Sequence, residues 1–246
     1  MRLIAAAAGI AAAVWCFSAL ADDKPCYGMP ALSVDAGVAP TLAIVKPGDR
    51  VCFVKGGEQA GCPGPSAACA TRAFVVGGDA VVVSATAGEY ACATFTAPGR
   101  KAVSTSGFLP RAQLSAPSTE APVNASTTWA GTWWSGDEQT ITIRPKPDGR
   151  IVIKGVATWG GHDPERVKRG AVNAGNLSAE VSIADGIAAF TDDGEGATKP
   201  FDLKLPDDGG VCRVKLWRLG PYLVVADNLG CGGMNVTFTG VYRKTE

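Results

Sequence analysis

The residues suited to acid–base chemistry are few and lie in two short segments. His162, the one histidine of the chain, stands beside Asp163 in the segment WGGHDPER. As a general base it would need a nucleophile or a carboxylate within hydrogen-bond reach. The glycines and the proline predict a surface loop, in which a histidine is usually solvated, and no G-x-S-x-G motif supports a serine hydrolase.

The second segment, TDDGEG, contains the carboxylates Asp192, Asp193 and Glu195. Paired carboxylates catalyse glycoside hydrolysis when they face each other across a substrate. Neighbours on an Asp/Gly turn point apart, so a hairpin turn is the better interpretation, and the EF-hand spacing is missing. The sequence therefore predicts that the protein is not an enzyme and that it has no metal site and no cofactor.

Aromatic residues are the stronger candidates for binding. Five of the six tryptophans lie in the second half of the chain, and the sixth is in the first twenty residues. Trp133 and Trp134 are adjacent on a predicted strand and therefore face opposite sides, so that one of them would line a cavity or form an outer platform. The alternative is that most of the tryptophans are core residues. The candidate binding residues are Trp134, Trp159, Trp217 and Tyr222.

The chain begins with a candidate signal peptide. Residues 1–21 combine the charge of Arg2, an apolar Ala-rich run and the small-x-small sequence Ala19-Leu20-Ala21, which favours cleavage and a periplasmic or secreted protein. An uncleaved membrane anchor is the alternative, and no later segment is apolar enough to span a membrane. Without Arg2, 22 Lys and Arg stand against 23 Asp and Glu, which does not favour nucleic-acid binding.

The eight cysteines predict disulfides in an exported chain. A metal site is disfavoured because there is no C-x-x-C motif and only one histidine. Loss of Cys16 with the leader leaves an odd number, seven. Cys212 and Cys231 have no other cysteine near them in sequence, and we expect them to be bonded to each other.

The pairing of the five cysteines in the first half is less determined. We expect Cys52 to pair with Cys92, and Cys62 to pair with Cys69 across a Gly- and Pro-rich loop. Cys26 would then be left over, free to link two chains. The other interpretation is that this pairing is wrong.

Short β-branched runs between turn residues predict β-structure in the first half. The segment Gly107-Phe108-Leu109-Pro110 follows a polar loop and precedes a short turn. It resembles the end of a bacterial Src-homology-3-like barrel, in which a G-W-V-P-like segment forms the last strand, although Phe108 stands where Trp is usual. The resemblance covers about residues 40–116 and implies binding of cell-wall peptides or proteins through surface grooves.

The second half predicts about eight strands joined by short turns, which is typical of an antiparallel meander that closes into a barrel. Gly131-Thr132-Trp133 near its start and Arg243 near its end resemble the calycin group, which includes lipocalins and avidins. In that group an early G-x-W packs against a late arginine beneath the barrel. The resemblance therefore implies structural roles for Gly131, Trp133 and Arg243.

A small, polar, Pro-containing segment separates the two halves and predicts a linker. The predicted organisation is a signal peptide at 1–21, an Src-homology-3-like β domain with disulfides at 22–116, a linker at 117–128 and a calycin-like β-barrel domain at 129–246. The fold class is accordingly all-β, with two small β-barrel domains.

These features predict an exported cell-envelope binding protein that contacts peptidoglycan, an envelope protein or a wall-degrading protein. An inhibitor of wall-degrading enzymes is one variant of this hypothesis. The alternative is a periplasmic carrier that holds a small apolar ligand inside the second barrel. A filled barrel with exposed aromatic side chains would favour the binding protein, whereas a closed apolar cavity would favour the carrier.

Overall fold

The computed structural model describes residues 26, 30–35, 38–48, 50–98, 103–117, 123–192, 198–204 and 210–244. In these ranges the protein is almost entirely β-structure, in two antiparallel sheets, which confirms the all-β prediction. The helical elements described are α1 at Ser126–Trp129, α2 at Pro164–Lys168 and a 3₁₀ turn at Arg111–Gln113. No helix among them is long and apolar enough to cross a membrane.

Seven strands form the N-terminal sheet: β1 Thr41–Val45, β2 Val51–Val54, β3 Ala70–Val75, β4 Ala80–Ala87, β5 Tyr90–Thr96, β6 Ser104–Pro110 and β7 Leu114–Ser115. Their spatial order is β3-β2-β6-β5-β4-β1-β7. The sheet forms a half-barrel around mostly small side chains, among which Phe53 and Leu109 are the largest fully buried ones. The Gly-Phe-Leu-Pro segment ends β6, and the 3₁₀ turn separates β6 from β7.

Nine strands form the C-terminal sheet: β8 Gly131–Ser135, β9 Gln139–Pro145, β10 Ile151–Trp159, β11 Asn173–Val181, β12 Ile187–Asp192, β13 Thr198–Pro200, β14 Cys212–Leu219, β15 Tyr222–Asp227 and β16 Gly240–Lys244. Their order is β11-β10-β9-β8-β16-β15-β14-β12-β13. The backbone N–H of Glu180 on β11 lies 3.3 Å from Thr198 Oγ1 on β13, so the two edge strands meet and the barrel is nearly closed.

Alternation along these strands fills the barrel with large side chains. On β9 and β10, every second residue points inward, and the same holds on β14 and β15. The inward set includes fully buried side chains from most strands of the barrel, for example Trp133, Ile141, Ile153, Phe190 and Tyr242. The described interior is therefore a packed core.

The last strand is shorter than the sequence pattern predicts. The alternation in MNVTFTGVYR predicts a strand over 234–243, but β16 begins only at Gly240. Residues 234–239 form a loop whose backbone is held by Asp227: the carboxylate accepts hydrogen bonds from Phe238 N at 2.9 Å and Thr237 Oγ1 at 2.6 Å. Side-chain hydrogen bonds thus replace ladder hydrogen bonds, while Phe238 still packs in the core.

Two of the three expected disulfides are present and the third is wrong. Cys62 is bonded to Cys69 and Cys212 to Cys231, but Cys92 is bonded to Cys26. Cys52 is an exposed free thiol. The expected Cys52–Cys92 pair is excluded by topology, because β6 lies between β2 and β5. Two inter-strand spacings amount to about 10 Å, beyond the span of a disulfide.

Three intramolecular disulfides indicate an oxidising compartment outside the cytoplasm. Glutathione and thioredoxin keep most cytoplasmic thiols reduced, so disulfides there are rare. Such a compartment is also what the prediction of export implies.

The two sheets pack directly against each other. The outer face of β15 contributes Tyr222, Val224 and Ala226, which pack against Val34 and Val82 of the N-terminal region. Hydrogen bonds cross the same interface: Tyr222 donates to the carbonyl of Ala80 at 2.6 Å, Thr96 Oγ1 donates to the carbonyl of Val241 at 3.0 Å, and Arg243 donates to the carbonyl of Thr96 at 2.9 Å. Because the inner face of β15 lies in the barrel core, this strand is buried on both faces.

Candidate functional site

The residues at and beside His162 take part in hydrogen bonds that hold the backbone. His162 is exposed, and its backbone N–H donates to the Glu138 carboxylate at 3.0 Å. Asp163 caps α2, since its carboxylate accepts the backbone N–H groups of Glu165 at 2.9 Å and Arg166 at 3.2 Å. Its Oδ1 is therefore engaged in helix capping, and its Oδ2 lies 3.5 Å from Arg166 Nε. His162 lines neither of the two clefts considered below.

The acidic turn gives no further candidate. Asp192 ends β12, whereas Asp193 and Glu195 lie outside the described residues. Among the residues that the structure describes, no three His, Cys, Asp or Glu side chains are grouped to hold a metal ion.

The arginine that packs against Trp133 is not the one that the calycin resemblance implies. Two cations approach the ring of Trp133, with Arg218 Cζ at 4.9 Å and Lys244 Nζ at 5.1 Å from its centroid. The expected partner, Arg243, instead faces the N-terminal sheet, because it follows inward-facing Tyr242 on β16 and so points outward. The arginine that packs against Trp133 is therefore Arg218, and the expectation that it would be Arg243 is corrected.

Gly131 has a packing role at the same place. Its φ is +133°, and a Cβ there would lie 2.8 Å from Lys244 Cε. The absence of a side chain lets Lys244 lie over Trp133. Burial, and next the charge of Arg218, lower the pKa of Lys244 below its usual 10.5.

The four predicted binding residues are not brought together as one patch. Trp159 is half-buried under Arg166, whose Cζ lies 3.9 Å from the ring centroid. Trp134 is half-buried on the outer face of β8, paired with Arg243 of β16. Trp217 and Tyr222 are buried between the two sheets, so Tyr222 is an interface residue and is not exposed for a ligand.

Tyr222 is held firmly in that interface. Its hydroxyl donates to Ala80, and Arg243 lies 5.3 Å from its ring centroid. Burial raises the pKa of Tyr222 above its usual 10.0, while Arg243 acts in the opposite direction. The dominant effect of burial means that the neutral phenol is favoured in the folded protein.

A cleft of about 750 Å³ lies beside this interface. Its N-terminal wall is apolar and comes from β1, β4, β5 and β7, with Leu42, Val83 and Leu114 as its larger side chains. The opposite wall comes from the start of β12 and the β14–β15 hairpin. Ile187, Trp217 and Leu219 are the large side chains of that wall. Pro117 and Val123, two residues of the predicted linker, also line this cleft, which we call the intersheet cleft.

The polar groups of the intersheet cleft are few. Arg111 and Asp185 are exposed at its edge, and Arg218 is half-buried beside Trp217. Trp217 itself is 7% exposed, and its indole Nε1, like that of Trp134 outside the cleft, is buried without an acceptor among the described residues. A buried N–H without a partner is uncommon in folded proteins and calls for a specific explanation. A mainly apolar cleft with a few polar groups is the usual form of a ligand site.

Sequence reasoning identified Trp217 but missed the rest of the cleft. Leu42, Val83 and Leu114 read as ordinary core positions of strands, and nothing in their spacing shows that they face a second sheet. The two residues of the predicted linker could not be recognised as lining residues, because a Ser/Pro-rich composition predicts only a flexible connection. The one available signal was the excess of tryptophan in the second half.

The fold and the cleft therefore define an all-β protein with two packed sheets and an apolar cleft between them. No family model matches the chain, and neither a curated protein nor a solved structure is significantly similar to it.

Proposed function

We propose that the protein is an exported, periplasmic cell-envelope binding protein that holds a short segment of peptidoglycan in the intersheet cleft. The observation that carries the proposal is an apolar cleft of about 750 Å³ lined by Trp217, whose buried indole N–H has no acceptor among the described residues. A ligand acceptor that reaches this group would supply the missing hydrogen bond. The protein does no chemistry on the ligand in this proposal.

The chemistry of the cleft matches that of a wall peptide. Peptidoglycan stem peptides combine small apolar side chains with free carboxylates. Leu42 and Leu114 offer an apolar surface for methyl groups, and Arg111 stands exposed at the edge, where its guanidinium can pair with a carboxylate. Asp185, also at the edge, offers an acceptor for an amino group.

The organisation of the chain is compatible with this role. The candidate signal peptide at 1–21 and the three disulfides agree with export. The strand that ends in Gly107-Phe108-Leu109-Pro110, the short turn and β7 are in keeping with the resemblance to a bacterial Src-homology-3-like barrel. That resemblance implies binding of cell-wall peptides or proteins.

The carrier hypothesis has less support. It needs a cavity inside the C-terminal barrel, but the described interior is filled by side chains such as Trp133, Phe190 and Tyr242. The cleft lies outside the barrel, so a small apolar ligand would have to bind at the same place as the wall peptide.

Co-sedimentation with purified peptidoglycan tests the proposal on the chain of residues 22–246. The informative variant is Ala116→Trp, because Ala116 is exposed and lines the cleft, so that a bulky side chain there obstructs it. Ala112→Trp is the matched control, since Ala112 is exposed nearby but does not line the cleft.

We expect the wild type and Ala112→Trp to pellet with the wall, and Ala116→Trp to bind at least about tenfold more weakly, a change of about 1.4 kcal/mol. Far-UV circular dichroism checks that each variant is folded. If the wild type stays in the supernatant, the wall-binding proposal is wrong. If the wild type pellets and Ala116→Trp binds as well as Ala112→Trp, the intersheet cleft is not the binding site.

A further inference from the structure

A second groove, of about 630 Å³, opens within the N-terminal sheet where β2 separates from β6. These two strands are joined by a single residue pair, Val54 with Phe108. On its other side β6 is paired with β5 along its whole length, from Ser104 to Pro110. The half-barrel therefore has an open side beside the first residues of β6, and we call this opening the β6 groove.

The β6 groove exposes a strand edge. Residues 104–106 line it, and among the described residues their neighbouring strand lies on the β5 side alone. Ser104 is exposed and Thr105 is half-buried, whereas Ser106 is buried at the bottom of the groove. A strand with one neighbour presents unpaired backbone N–H and C=O groups on its other side. Such groups are a template for an added strand.

The edge is held in position by the C-terminal barrel. Ser104 and Thr96 share a hydrogen bond of 2.8 Å between their hydroxyls, and Thr96 donates to the carbonyl of Val241 at 3.0 Å. The adjacent Ser106 and Thr94 hydroxyls are likewise joined at 2.8 Å. An incoming strand would therefore meet a preformed edge, which lowers the ordering cost of binding.

The charged side chains that line the β6 groove are basic. Lys55 and Arg72 line it, and no acidic side chain of the described residues does. Within the described part of the chain, neither Lys55 nor Arg72 makes an ion pair, whereas four other ion pairs are seen there. The remaining polar lining consists of the hydroxyls of Thr71, Thr105 and two serines, with Phe53 as the one aromatic residue.

We propose that the β6 groove binds an extended acidic segment of a partner protein, which adds as a strand to the free edge of β6. Its backbone pairs with residues 104–106, and its carboxylates pair with Lys55 and Arg72. Successive residues of a strand point to opposite faces, so acidic residues at every second position present their charges on one face. The site is separate from the intersheet cleft and does not depend on wall binding.

A nucleic acid is a poor alternative occupant. Its affinity depends on neutralising many phosphates, whereas two cations line the groove and the chain from residue 22 carries one more acidic than basic residue. A free anion would use the two cations but would leave the strand edge unpaired. The extended acidic segment is the ligand class that uses both features.

The probe is a fluorescein-labelled hexapeptide of alternating Glu and Val with blocked termini, titrated with the chain of residues 22–246 by fluorescence anisotropy. Two further peptides separate the contributions. One replaces Glu by Lys, and the other keeps the Glu-Val sequence but is methylated on every backbone nitrogen, which removes strand pairing and keeps the charges.

The protein variants test the cations. Lys55→Glu/Arg72→Glu reverses the charge of the groove, and Arg144→Glu/Lys154→Glu is the matched control, since those two exposed residues lie on the C-terminal barrel. Circular dichroism verifies the fold of both, and the methylated peptide supplies a test that needs no protein variant.

We expect the Glu-Val peptide to bind the wild type and the control variant equally, with an affinity that falls as salt is added. The groove variant, the methylated peptide and the Lys-Val peptide should each bind at least about tenfold more weakly. No binding of the Glu-Val peptide at millimolar protein overturns the proposal. Equal binding of the methylated peptide excludes strand addition and overturns it as well.

Discussion

The two sheets bury their cores by different means. The C-terminal barrel is nearly closed, and its core is built from large side chains such as Trp133, Phe190 and Tyr242. The N-terminal sheet is a half-barrel with a core of mostly small side chains, among them Ala43 and Ala93. The N-terminal half has two disulfides against one in the barrel, and its residues Val34 and Val82 are buried in the contact with the outer face of the barrel.

This difference explains where the candidate binding surfaces lie. A barrel that closes on itself has few free edges and little unfilled space, whereas a half-barrel leaves a side open. The N-terminal sheet lines both the intersheet cleft and the β6 groove. The region that cannot complete its own core is therefore the region that offers surfaces to a ligand.

The largest expected effect is on the barrel core. Trp133→Ala removes a fully buried side chain whose Nε1 donates to the carbonyl of Trp129 at 3.0 Å. We expect a loss of about 3–5 kcal/mol in the free energy of unfolding, measured by urea denaturation. Trp133→Phe is the control and should lower the free energy of unfolding by less, because phenylalanine keeps most of the apolar volume. A loss below about 1 kcal/mol for Trp133→Ala would contradict the packed barrel interior.

The next effect concerns the cross-links of the half-barrel. Cys26→Ala/Cys92→Ala opens a link across 66 residues, and we expect it to cost about 4 kcal/mol in the chain-entropy model. The control Cys62→Ala/Cys69→Ala opens a link across 7 residues and should cost about 2 kcal/mol. Urea denaturation of both variants gives the comparison. If the short link proves the more stabilising one, the long link does not hold the half-barrel together.

Much of the fold could be predicted because strand alternation and turn residues are local signals. The disulfide from Cys62 to Cys69 was predictable for the same reason, since it closes a short loop. The pairing of Cys92 was not, because it depends on the position of β6 between β2 and β5. The order of strands in space is a long-range property, and spacing along the chain does not contain it.

The candidate site was less predictable than the fold. Tyr222 and Trp217 were predicted as binding residues, but an aromatic residue on the outer face of a barrel has the same sequence pattern whether it meets a ligand or a second sheet. The structure places both against the N-terminal sheet. Trp133 was expected to pack against Arg243, whereas Arg218 and Lys244 lie over its ring, because the direction of β16 turns Arg243 to the other side.

A smaller effect tests the contact between the sheets. Tyr222→Phe removes the hydrogen bond of 2.6 Å to Ala80, and we expect a loss of about 0.5–1.5 kcal/mol in the free energy of unfolding at pH 7. Because burial raises the pKa of Tyr222 in the folded protein, the unfolded chain ionises first as pH rises through 10.0. The stability that the neutral phenol contributes is thus fully present below pH 10.0 and is lost above it.

The difference between wild type and Tyr222→Phe should therefore be constant from pH 7 to about 9 and should shrink at higher pH. Urea denaturation of both proteins across this range measures it, and the other tyrosines cancel in the comparison. A difference that grows with pH above 10.0 would show that Tyr222 is not buried between the sheets.

The smallest effect on stability belongs to Cys52, and it tests the disulfide arrangement of the half-barrel. The exposed thiol has no disulfide partner, so the folded chain of residues 22–246 should react with one equivalent of maleimide, and peptide mass mapping should place the label on Cys52. Cys52→Ser should abolish the labelling and change the free energy of unfolding by less than about 0.5 kcal/mol. A label on Cys26 would instead support the pairing of Cys52 with Cys92. That result would require β2 to lie next to β5, which would close the β6 groove.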